Sequence, residues 1–155
     1  MQLGSSVRRA LETLLLAGAF VGFLSPCASA NSYSDAIDRA SRMLPQQPDK
    51  IVIVERSTAS SQHAGGPRSE AFVNLGEPTV YLVRQGATLQ RALEGPGIFD
   101  FALAAIIWHE MAHAEGLDER RAQEQEEDLW KQFVQRGLVD SGVGLTYLDE
   151  LRRRR

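Results

Sequence analysis

Two histidines and a glutamate, His109, Glu110 and His113, form the pattern H-E-x-x-H at the end of a long apolar run. On an α-helix, side chains four residues apart stand one above the other on the same face. That spacing lets two imidazoles hold one metal ion from one side while Glu110 reaches a water on the ion. Zinc favours nitrogen and carboxylate ligands, and a catalytic zinc site takes three of them, keeping a fourth position for water. The motif therefore points to hydrolysis by a metal-activated water, with Glu110 as the general base.

Two ligands do not complete such a site. The only other histidine, His63, lies in a stretch rich in Ser, Ala and Gly, so a carboxylate is the expected third ligand. Glu119, Ala122, Glu126, Leu129 and Phe133 follow one another in steps of three and four. The apolar members of this stripe must face the core. They carry Glu119 and Glu126 inward with them, where an unpaired carboxylate is costly. Glu119, just beyond the turn at Gly116, is the first choice. Glu126, two helical turns on, reads as an acceptor for a ring N–H of a bound histidine, which would fix that ring's orientation. Glu126, His63, Glu115 and Asp118 remain as alternative ligands.

The stretch from His109 to Glu119, written H-E-x-x-H-x-x-G-x-x-E, resembles the zincin superfamily of zinc metallopeptidases. Within it the chain is most similar to the gluzincin type, whose third ligand is a glutamate on the next helix, often in an E-x-x-A context. Glu119-Arg120-Arg121-Ala122 matches that context, at a shorter separation than gluzincins use. The glycine spacing is similar to metzincins, but these need a later methionine turn, and no methionine follows Met111. The resemblance implies Zn2+ held by His109, His113 and Glu119, with peptide or protein substrates. It also implies an edge strand above the site that takes substrate by β-augmentation; the Tyr81 strand is the candidate. A non-catalytic zinc-binding envelope module, or a zinc hydrolase of a non-peptide bond, stands as the alternative.

The elements that must position these residues can be traced along the chain. Residues 34–44 place Ala36, Ile37, Ala40, Met43 and Leu44 at helical spacing before Pro45 and Pro48 end the helix. Ile51, Val52, Ile53 and Val54 form a β-branched run of strand length. Residues 56–69 read as a flexible loop. Two short strands, 71–73 and 79–83, flank the turn Gly76-Glu77-Pro78, and a helix is expected over 87–94. Residues 98–114 are apolar on every side apart from Asp100 and the motif, so this helix belongs in the middle of the molecule. Gly116 closes it and Asp118 caps a second helix running to about Arg136. A last helix over about 145–152 carries the basic tail; its Tyr147 could swing toward the site as an oxyanion donor, but the alternation with Leu145 and Leu148 favours helix packing. The fold class is α+β: a minimal zincin-like single domain, with a small sheet on a buried active-site helix followed by a glutamate-bearing helix.

The chain has 155 residues and a net charge of −3, which gives no reason to expect a nucleic-acid partner. Residues 1–30 read as a signal peptide: Arg8 and Arg9, an apolar stretch over 11–24, and Ala28-Ser29-Ala30 as the cleavage site. Cleavage after Ala30 leaves a domain of residues 31–155 that is secreted or periplasmic and has no integral membrane span. The single cysteine, Cys27, departs with the leader, so no disulfide holds the domain.

Overall fold

A computed structural model describes residues 32–57, 69–74 and 76–153. The expected leader, its cleavage site, His63 and most of the expected loop lie outside the described residues. The elements run α1 (Tyr33–Ser41), β1 (Lys50–Val54), β2 (Ala71–Val73), β3 (Thr79–Val83), α2 (Ala87–Ala92), α3 (Ile98–Ala114), α4 (Glu119–Gln135) and α5 (Ser141–Arg153). The architecture is α+β, with a small sheet against the buried α3 and with α4 folded back along it.

Helix α1 starts at a reciprocal cap: Ser32 Oγ accepts from the Asp35 N–H, and the Asp35 carboxylate accepts from the Ser32 N–H. Its Ala36 and Ala40 are fully buried against α3. The sheet order is β1-β3-β2, with β1 parallel and β2 antiparallel to β3. Tyr81 faces Val52 across one side and Phe72 across the other. The Tyr81 strand is thus the centre of the sheet, not the free edge expected from the sequence. The reason lies in its two apolar faces. Val80 and Leu82 enter the main core, while Tyr81 stacks on Phe72 on the opposite face, ring centroids 4.9 Å apart. Among the described residues the free edges belong to β1 and β2.

Helix α3 is buried through Ala102, Leu103, Ala104, Ala105 and Ile107 and packs against α1, α2, α4, β2 and β3. Ala102, Ala104 and Ala105 let neighbouring backbones approach closely, and no other element is surrounded on as many sides. Near its start the buried Asp100 receives Arg39 Nε at 3.1 Å on both carboxylate oxygens, together with the Gly97 N–H. The same guanidinium donates to the Ala92 carbonyl, so one ion pair ties α1, α2 and α3 together.

Helix α5 begins at Ser141, a full turn earlier than the sequence suggests. Asp140 Oδ1 accepts the N–H groups of Gly142 and Val143 there, as an N-cap should. Trp130 is buried, whereas Trp108 lies half-buried at the margin of the core. Among the described residues no helix is long and apolar enough to cross a membrane.

Candidate metal centre

The end of α3 is shaped by Gly116. This residue has φ +85°, a left-handed conformation that glycine adopts without penalty. The Gly116 N–H donates to the His113 carbonyl and the Leu117 N–H to the Ala112 carbonyl, the paired bonds of a Schellman cap. The chain reverses within three residues. Asp118 then caps α4 by accepting the Arg121 N–H at 2.9 Å, and Glu119 becomes the first residue of the new helix, beside His113.

His109 and His113 stand one turn apart, ring centroids separated by 4.8 Å. Their Nε2 atoms are 3.1 Å apart. Glu119 Oε2 lies 3.1 Å from His113 Nε2 and 3.6 Å from His109 Nε2. The other oxygen of Glu119 accepts from the buried Gln123 side chain at 2.8 Å, which turns Oε2 toward the rings. One ligand atom from each of His109, His113 and Glu119 falls within 4.8 Å of the others, so the three could hold a metal ion.

The second nitrogens decide which protons the rings carry. His113 Nδ1 is 2.9 Å from the Leu117 carbonyl, which only accepts, so Nδ1 holds the proton. His109 Nδ1 is buried 2.9 Å from Glu126 Oε2, with the oxygen off the straight N–H line. A carboxylate there likewise calls for a proton on Nδ1. Neutral rings in this state turn both Nε2 lone pairs toward Glu119 Oε2. Three acceptor atoms at this spacing repel one another unless a shared proton or a metal cation joins them.

The electrostatics point the same way. Burial by itself pushes the His109 pKa down. The contact with Glu126, and the charges of Glu126, Glu110 and Glu119, outweigh it and hold the ring above its ordinary value. Surroundings that favour a proton on the ring favour a metal cation beside it. Burial raises the Glu110 pKa; the two histidines pull it down, Glu119 and Glu126 push it up, and the net result is a carboxyl above its usual range. A general base is most effective when its pKa approaches the working pH. Among the described residues no lysine or arginine pairs with Glu110, Glu119 or Glu126.

The structure therefore brings together His109, His113 and Glu119, with Glu110 on the same helix and Glu126 behind His109. One expectation needs correcting: Glu119 does not point into the core, since its side chain is 64% exposed. As the first residue of α4 it precedes the part of the stripe that the core covers, and it stands at the mouth of the site. Glu115 and Asp118, the other described alternatives, are not in the cluster; Asp118 is used as the cap. Sequence reasoning missed Gln123, although its position four residues after Glu119 was a legible signal. For Tyr147 it favours packing over a role as an oxyanion donor at the site, and it misses the bond the structure shows, in which the Tyr147 hydroxyl donates to Glu126 Oε1 at 2.6 Å. Comparison with protein-family models, curated proteins and solved structures finds no significant match to this chain.

Proposed function

We propose that this protein is an exported zinc-dependent metallopeptidase of zincin type, hydrolysing peptide bonds with Glu110 as general base. The observation that carries the reading is the convergence of His109 Nε2, His113 Nε2 and Glu119 Oε2, spaced by 3.1, 3.1 and 3.6 Å. Bonds of about 2.0–2.1 Å in a tetrahedral arrangement place zinc ligand atoms about 3.3 Å apart. Two imidazole nitrogens and one carboxylate oxygen are a donor set suited to catalytic zinc, and they fit that spacing. His109, His113 and Glu119 would hold the metal. When bound, zinc supplies acidity to a water and polarises the substrate carbonyl.

The chain's own residues do the rest. Leu117 and Glu126 hold the two imidazoles in the tautomer that presents Nε2, and Gln123 holds Glu119. Glu110, kept basic by burial and by neighbouring negative charge, takes a proton from the attacking water and delivers it to the leaving amine. The exposed position of Glu119 leaves the site open to a chain from solvent. An extended substrate would find the outer edges of β1 and β2, which no other strand pairs with among the described residues.

The test is metal analysis of the purified protein, followed by digestion of a peptide library with and without a chelator. One zinc per chain is expected, with cleavage products that vanish on chelation and return with zinc. Glu110→Gln should keep the metal and lose about 10²–10⁴-fold in rate, the usual contribution of a general base. Undiminished cleavage by that variant would refute the mechanism. One zinc per chain without cleavage of any peptide would favour a binding module instead.

A further inference from the structure

Glu126 is a carboxylate with only 4% of its surface exposed, yet no lysine or arginine pairs with it among the described residues. Its two oxygens are divided between two partners. Oε2 faces His109 Nδ1 at 2.9 Å, and Oε1 accepts the Tyr147 hydroxyl at 2.6 Å. A buried carboxylate left with neutral donors alone is expensive. The expense falls sharply if the imidazole it faces bears positive charge, as a ring does when its far nitrogen binds a metal.

The hydroxyl is itself delivered by a precise dock. Tyr147 stacks on Trp130 with ring centroids 3.9 Å apart and planes within 20°. The Trp130 indole N–H donates to the Gly144 carbonyl at 3.1 Å. Gly144 sits so close to α4 that a Cβ there would lie 2.3 Å from Val134 Cγ2. Only glycine permits this approach of α5. Packing explains the stacked ring, but it does not explain a short bond from the hydroxyl to the one carboxylate behind a metal-binding histidine.

We propose that Tyr147 is a positioning residue for the metal centre: it fixes Glu126, and through Glu126 the orientation and Nδ1 proton of His109. The last described helix is then part of the metal site, although Tyr147 lies 34 residues beyond His113 and supplies no ligand. This inference rests on the metal reading of the His109, His113 and Glu119 cluster.

The experiment measures zinc dissociation constants by competition with a chromophoric chelator, with the cobalt absorption spectrum as a second readout. Four proteins are compared: wild type, Tyr147→Phe, Glu126→Gln and the double variant. Tyr147→Phe keeps the ring on Trp130 and should stay folded, with a midpoint lowered by the loss of one donor to a buried carboxylate. Its zinc affinity should fall about tenfold, the lower end of what loss of an outer-shell partner costs. In the Glu126→Gln background the same change should have no further effect, because its route to the metal is already cut. A Tyr147→Phe affinity within twofold of wild type, or an equal loss in both backgrounds, would overturn the proposal while leaving the zinc site standing. A wild-type protein that binds neither zinc nor cobalt would instead remove the metal reading itself, and this inference with it.

Discussion

Asp100 and Glu126 are both carboxylates buried almost completely, at 1% and 4% exposure, and they serve opposite ends of α3. At the first end the protein neutralises its own charge. Arg39 meets both oxygens of Asp100 and the Gly97 N–H adds a third donor. At the second end Glu126, Glu110 and Glu119 gather around two imidazoles, and among the described residues no lysine or arginine pairs with any of them. The two ends lie on one helix, about 13 Å apart at 1.5 Å per residue over nine residues. The contrast separates a buried charge neutralised within the chain from one that is not. The first is complete by itself, whereas under the proposed function the second is completed by a cation from outside.

The strongest way to break the first half of this contrast is Asp100→Ala. It leaves the Arg39 guanidinium, mostly buried, without its partner, and breaking such a pair costs about 3–5 kcal/mol. Urea unfolding should show that loss in full, equally with and without zinc. A loss that zinc abolished would mean the two ends are not independent.

Zinc addition probes the second half. At a thousand times its dissociation constant, a ligand specific for the folded state adds about 4 kcal/mol. That increment should appear in wild type and survive in Asp100→Ala, because well-separated sites act additively. It should largely disappear in Glu119→Ala. If Glu119→Ala gains as much as wild type, the third ligand is another group, and Glu126 becomes the first candidate.

What could be read from the sequence follows from the range of each interaction. The motif, the apolar α3, the turn at Gly116 and the entry of Glu119 depend on residues within about one helical turn of each other. Local spacing determines them, and they were legible. The place of β3 in the sheet was not, because strand order depends on which faces pack against α3, and the short Tyr81 segment does not encode its neighbours. The outward position of Glu119 was hidden for a related reason. Periodicity gives a helix face but not how far along the helix the core extends. The start of α5 was obscured by Gly142 and Gly144, which read as helix breakers, although Gly144 is where α5 touches Val134. The Tyr147–Glu126 bond spans 21 residues, and no short-range spacing announces it.

The smallest expected effect compares the glycines that flank α3. Gly97 has an extended backbone, φ 169°, and a Cβ added there meets nothing within 4 Å. Gly97→Ala should therefore stay within about 0.5 kcal/mol of wild type, as surface changes usually do. Gly116 also has open space for a Cβ, but its φ of +85° is left-handed, and holding an L-residue there costs about 1–2 kcal/mol. Sterics around the two positions are alike, so the difference isolates backbone conformation. The Gly116 change has a second consequence that Gly97 lacks. Relaxing the turn shifts the Leu117 carbonyl from His113 Nδ1 and moves Glu119 relative to the rings. Gly116→Ala should weaken zinc binding as well as stability, while Gly97→Ala should leave both unchanged. Equal zinc affinity in the two variants would show that the turn merely ends the helix and does not aim the ligands.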